Sequence, residues 1–231
     1  MSLLFPSGYK CIVCGSEIPK SRYELCDKCY SSLPFIKIKV CEKCGRPIND
    51  DSMYCNACIN HEVDYDKCIA VFEFRPPVDN LVYRLKYDSE KYLAYSLSNF
   101  LIDKLKSSGI KYDVVIPVPL YFTREIERGF NQSELLISEF ENNGIKTDCS
   151  CLVRTKDTIS QTHLTRKERE QNTIDAFKVI NKSHIKGKSV VLVDDVFTTG
   201  STFNSIAKVL LKAGALHVYG LSVGHAVNKI D

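Results

Sequence analysis

The sequence predicts an α/β fold in which a parallel sheet is covered by helices on both faces and preceded by a small cysteine-rich module. Three observations predict it. Eight of the 11 cysteines form four CxxC pairs near the front of the chain. Behind them, near-continuous aliphatic runs alternate with helical patterns, as strands buried on both faces require. Finally, "VVLVDDVFTTGST", Val190 to Thr202, carries two adjacent carboxylates from the end of one aliphatic run into a hydroxyl-rich turn.

The front module comes first. "CIVC" and "CDKC" supply Cys11, Cys14, Cys26 and Cys29, and "CEKC" and "CNAC" supply Cys41, Cys44, Cys55 and Cys58. Each CxxC can bend two thiolates onto one tetrahedral ion, and two such knuckles complete a Cys₄ site. The pattern repeats down to the glycine after the second cysteine ("CIVCG", "CEKCG"), which suits a turn with positive φ. Four pairs in an internal repeat argue against isolated redox pairs. Residues 1–62 therefore read as a double zinc ribbon with two closed, structural Zn²⁺ sites, and 63–231 as the sheet domain. Sequential pairing of the knuckles is favoured, with a cross-braced arrangement left open. So small a module has little apolar core, and metal binding would supply most of its folding free energy.

Composition narrows the setting. At 44% hydrophobic and 26% charged the chain is that of an ordinary globular protein, and a net charge of +3 is too small to argue nucleic-acid binding. No apolar run approaches the ~18 residues of a membrane span. "MSLLFPSGYK" lacks the pattern of an export signal, so the free thiols point to a reducing cytoplasm.

The remaining elements follow in order. "CIAVFEF" reads as a strand in which Cys68 is a small buried hydrophobe. "VDNLVYRLKY" places Val78, Leu81, Val82 and Leu85 on one helical face. A second helix starts near Ser89, stacks Leu93, Leu97, Leu101 and Leu105, and ends before Gly109. "YDVVIPVP" is a strand, "NQSELLISEFENNG" a helix closed by Gly144, and "AFKVI" and "SVVLVDDV" are further strands. A helix from Ser201 to Lys212 buries Phe203, Ile206, Ala207 and Leu210 with Gly214 as its cap, and "LHVYGLSV" is the last strand.

In such sheets ligands bind at the carboxyl ends of the strands, where Asp194 and Asp195 lie. Backbone amides of the "TTGST" turn, at a helix N-terminus, make an anion site, and Thr198, Thr199, Ser201 and Thr202 add hydroxyls. Two carboxylates about one sugar away suit the vicinal hydroxyls of a ribose 5-phosphate. A solvated acidic pair capping the helix is the plainer account. Neither a Gly-Lys-Ser/Thr loop nor G-x-G-x-x-G is present.

The thirteen residues resemble the 5-phosphoribosyl 1-pyrophosphate (PRPP) signature of type I phosphoribosyltransferases. With the cysteine-rich front, "PVPLYFTREIERGFNQ" and an Arg-, Gln- and Asn-bearing stretch before "AF", the chain resembles the ComF family of competence-associated proteins, of ComFC type, over essentially its full length. The resemblance implies a type I phosphoribosyltransferase-like parallel sheet. Asp194, Asp195 and Arg128 would form the catalytic centre. The acids would hold the ribose, and Thr198, Thr199, Gly200, Ser201 and Thr202 the 5-phosphate. Arg124, Arg128 and Gly129 would form the pyrophosphate loop, with Mg²⁺ accompanying PRPP. Arg154, Gln161, Arg166, Arg169 and Asn172 would belong to an exposed, mobile loop over the reaction centre, where His163 reads as a solvated histidine. The implied function is phosphoribosyl transfer to an unknown acceptor in DNA uptake during natural transformation, among other competence proteins. A PRPP- or nucleotide-sensing regulator without turnover and a single-stranded DNA-binding adaptor are the alternatives.

Overall fold

The computed structural model describes residues 8–157 and 176–226. Its frame is a four-stranded, all-parallel sheet of β3 (Lys67–Glu73), β8 (His217–His225), β7 (Ser189–Phe197) and β4 (Val114–Pro117), in that spatial order. Among the described residues the edge continues beyond β4 as an isolated parallel bridge between Val115 and Thr147. The two nine-residue central strands are buried almost throughout, which accounts for their unbroken aliphatic runs. Because successive side chains leave a strand on opposite faces, β7 feeds two cores. Val191 and Val193 join one with helices α3 (Val78–Tyr87) and α4 (Leu93–Ser107). Val190 and Leu192 join the other with α7 (Ser201–Lys212).

The two cysteine-rich repeats share local geometry. In the first, the hairpin of β1 (Tyr9–Lys10) and β2 (Glu17–Ile18) carries Cys11 and Cys14, and α1 (Asp27–Ser31) follows Cys26. In the second, a bridge between Val40 and Pro47 replaces the hairpin, and α2 (Asn56–Asn60) follows Cys55. Gly15 N–H donates to the Cys11 carbonyl and Gly45 N–H to that of Cys41, at 2.8 and 2.9 Å. Both glycines have φ near +70°, as the repeat predicts (74° and 73°). At Gly45 a side chain is excluded twice over, since a Cβ would lie 2.6 Å from the Cys68 carbonyl oxygen.

The repeats pack on opposite faces of the sheet. Cys11, Ile12, Leu25 and Leu33 are buried in the core that holds α3 and α4. Cys41, Cys44 and Cys55 are buried in the other, with Tyr65 and Cys68. Helix α4 lies between the first repeat and the sheet, and this explains why it buries far more than its leucine stripe. Phe100 stacks on Tyr23 (centroids 4.1 Å apart) and meets Phe72 edge-on. Ser96 donates to Glu24 and Asn99 to the Arg22 carbonyl, while Asp103 accepts from Arg22 and Tyr23.

Four elements differ from the sequence reading, the first being the segment read as the pyrophosphate loop, which is α-helical over Phe122–Arg128 and ends at Gly129. Helix α4 begins at Leu93, four residues after Ser89, because residues 88–92 form a turn in which Arg84 pairs with Glu90. The segment after Asn131 is α-helical only in α6 (Gln132–Leu136). It then tightens into i→i+3 bonds such as Ile137 to Glu134, before a 3₁₀ turn at Glu141–Asn143 capped by Gly144. The "AFKVI" strand, β6 (Phe177–Val179), stands outside the parallel sheet. It pairs antiparallel with β5 (Leu152–Arg154), an element the sequence reading lacked. The other helical bounds, Val78–Tyr87 and Ser201–Lys212, match.

Phe100→Ala should lower stability by about 3–5 kcal/mol, and denaturant unfolding should remain a single transition, because one core holds the first ribbon, α4 and the sheet. A cost below ~1 kcal/mol, or separate transitions, would contradict this packing.

Candidate functional site

Each set of four cysteines converges. The Sγ atoms of Cys11, Cys14, Cys26 and Cys29 lie within 4.8 Å of one another, as do those of Cys41, Cys44, Cys55 and Cys58. The pairing is sequential. Sulfurs of Cys14 and Cys26 are 3.9 Å apart and those of Cys44 and Cys55 3.7 Å, close to the roughly 3.8 Å edge of a tetrahedron with Zn–S near ~2.3 Å. Both clusters fit structural zinc, with four thiolates and no open position.

The second site is a groove of about 900 Å³ at the carboxyl end of the sheet. Its floor is Asp194 and Asp195 of β7 with Thr198, Gly200, Ser201 and Thr202. Gly200, at φ 80°, turns the chain into α7, and a Cβ there would meet Phe197 at 2.7 Å and Tyr65 at 2.9 Å. Thr199 serves the turn itself: its Oγ1 accepts from the Ser201 N–H at 3.4 Å and donates to the Ser201 hydroxyl at 3.1 Å.

The adjacent carboxylates have separate partners. Lys86 of α3 forms an ion pair with Asp195 at 2.6 Å. Asp194 accepts from the Ser133 hydroxyl of α6 at 3.0 Å and from the Asp195 N–H at 2.9 Å. Burial, then the charge of Asp195, push Asp194 up to about 7, against the pull of Lys86 and these hydrogen bonds. Burial alone would lower Lys86, but its contact with Asp195 leaves it raised.

Cations line the facing wall. Arg124 and Arg128 lie on α5 (Phe122–Arg128), and Arg154 ends β5. Arg124 pairs with Asp157 at 3.1 Å, and Arg128 donates to Gln132 while stacking over Tyr87. Gly129, in left-handed conformation, ends α5 and does not line the groove. The structure thus brings the acids, four residues of the turn and three arginines into one groove. Gln161, Arg166, Arg169 and Asn172, with His163, lie outside the described residues.

Sequence reasoning missed Lys86, Ser133 and the α3 tyrosines Tyr83 and Tyr87, all at or beside the groove. The one available signal was that α3 carries Lys86, Tyr83 and Tyr87 away from its apolar stripe; nothing local says which strand end that face meets.

Comparison with known proteins matches two domains in the chain. Residues 1–59 match the double zinc ribbon domain and residues 94–227 the phosphoribosyl transferase domain. Competence protein F of Haemophilus influenzae is 30% identical over 231 residues, 93% of this chain and 97% of that protein. The chain belongs to the ComF family. DNA utilization protein YhgH of Salmonella typhi is 31% identical, covering 90% of this chain and 86% of the relative. Competence protein ComFC of Streptococcus pneumoniae is 30% identical over 67% and 66%. This ComF-family chain therefore joins a double zinc ribbon to a phosphoribosyltransferase-type domain. Among the described residues no helix is long and apolar enough to cross a membrane.

Elemental analysis of purified protein should find about two zinc ions per chain, at four thiolates per ion. One ion per chain, with four of the eight clustered thiols metal-free, would contradict one of the two clusters.

Proposed function

We propose that this chain binds PRPP with Mg²⁺ and transfers its phosphoribosyl group to an acceptor, in the cytoplasm and in the service of DNA uptake. One observation carries the reading: two carboxylates lie near the carboxyl end of the central strand, two residues before a hydroxyl-rich turn and helix N-terminus, and all open on a groove walled by arginines. Names of the relatives, competence protein and DNA utilization protein, support the biological setting. The working division is a ribbon module, 1–62, and a transferase-like domain, 63–231.

The roles follow from chemistry. Asp194 and Asp195 accept hydrogen bonds from the ribose hydroxyls, charge-assisted when ionised. Lys86 holds Asp195 in place through their ion pair. Amides and hydroxyls of Thr198–Thr202 hold the 5-phosphate at the helix N-terminus, and Arg124 and Arg128 face the pyrophosphate. Hard carboxylate oxygens of the acidic pair fit Mg²⁺ shared with ligand phosphates. Bound there, the ion supplies neutralisation of the leaving pyrophosphate. Positioning and charge compensation do the remaining work as pyrophosphate leaves the anomeric carbon. A PRPP sensor would bind alike without pyrophosphate release.

Calorimetric titration with Mg²⁺–PRPP tests the reading. Asp194→Asn with Asp195→Asn should weaken binding by about 100-fold or more, from two lost hydrogen bonds of ~1.5–3 kcal/mol each. Unchanged affinity in a folded variant would reduce the pair to a helix cap.

The pH profile gives a separate check. Wild-type affinity should rise as pH passes through about 7, where Asp194 ionises, and should lose that rise in Asp194→Asn. Stability runs oppositely. A raised carboxyl stabilises the fold below its ordinary value and loses that contribution as pH rises through about 7. Asp194→Asn should therefore melt above wild type at pH 8 and converge with it in acid. Parallel melting curves would contradict the burial of this carboxyl.

A further inference from the structure

Helix α3 divides its two sides. Val78, Leu81, Val82 and Leu85 are buried in the core, while Asp79, Asn80, Tyr83, Lys86 and Tyr87 reach the groove. Tyr83 and Tyr87 are one helical turn apart, with ring centroids separated by 4.9 Å and planes at 47°. They stay 55% and 58% exposed although they line a concave site. Arg128 stacks over Tyr87 from across the groove, its guanidinium 5.4 Å from the ring centre. Lys86, the neighbour of Tyr87, reaches Asp195. The ring pair and the two carboxylates thus line the same groove, with Lys86 between them in sequence and contact.

Exposed rings in a polar groove are a hydration cost that a flat apolar ligand would relieve. We propose that Tyr83 and Tyr87 form the acceptor platform, and that it takes a free planar nitrogen heterocycle, a nucleobase or close analogue. This rests on the phosphoribosyl reading above. The base stacks on the tyrosines, and Asp79 and Asn80, which line the same groove, offer a carboxylate and an amide to its polar edge. A ring nitrogen then faces the anomeric carbon of a ribose held at Asp194 and Asp195. The C–N bond forms as the C–O bond to pyrophosphate breaks. Pyrophosphate leaves with the bonding electrons, and the nitrogen releases its proton to water.

The test uses ligands that fill one subsite or both: ribose 5-phosphate, against adenosine and uridine 5′-monophosphates, titrated into the full-length protein. Stacking on aromatic side chains predicts that at least one monophosphate binds about tenfold tighter than ribose 5-phosphate. In Tyr83→Ala with Tyr87→Ala that gap should close while ribose 5-phosphate affinity holds, and Tyr83→Phe with Tyr87→Phe should retain it. Equal affinities in the wild-type protein overturn the platform without need of any variant. A gap that survives in the folded double alanine variant overturns it too. Failure of ribose 5-phosphate to bind overturns the phosphoribosyl reading along with it. If a short oligodeoxythymidylate displaces the monophosphate only when both tyrosines are present, the platform serves bases on a strand and the free-base assignment is overturned.

Discussion

Two carboxylates in consecutive positions at the inner end of a central strand set the terms for the rest of the site. Strand alternation turns the two side chains apart, so their closest partners come from different helices. Lys86 on α3 takes Asp195 and Ser133 on α6 takes Asp194, which leaves Asp194 the less compensated of the two and raised to about 7. A hydroxyl is a weaker counterpart than an ammonium, and burial multiplies the difference. The arrangement is therefore completed best by a ligand that brings hydroxyl donors to the acids and anionic charge to the turn and arginines beyond them.

Covering the sheet is the second constraint. A parallel sheet must be shielded on both faces, and here the cysteine-rich repeats share that task. The first meets α4 through Tyr23 and Phe100; the second meets β3, where the Cys68 N–H donates to the Lys43 carbonyl at 2.7 Å. Short hairpins and five-residue helices have little hydrophobic core of their own. Their knuckles are held by backbone bonds to the cysteine carbonyls and by whatever the four sulfurs share. Metal order in the ribbons and packing order in the sheet are thus coupled through common side chains.

What was legible in the sequence follows the range of the interactions involved. The Cys₄ groups, the helix from Val78 to Tyr87 and the turn after Asp195 are specified by spacing within a few residues, and each stands where the pattern places it. Antiparallel pairing of β6 with β5 was not legible, because a three-residue strand has no pattern that names its partner. Burial of Ser96 and Asn99 on α4 was hidden for the same reason: their partners, Glu24 and the Arg22 carbonyl, lie 72 and 77 residues away in the first ribbon. Lys86 is the clearest case. Its place on a polar helix face was readable, yet only the assembled sheet brings that face to Asp195.

The most direct measurement is a crystal structure of the protein soaked with ribose 5-phosphate. The account predicts the phosphate seated on the amides and hydroxyls of Thr198–Thr202, and the 2′ and 3′ hydroxyls within about 3 Å of Asp194 and Asp195. A sugar phosphate bound elsewhere, or bound with its hydroxyls turned away from both acids, would contradict it.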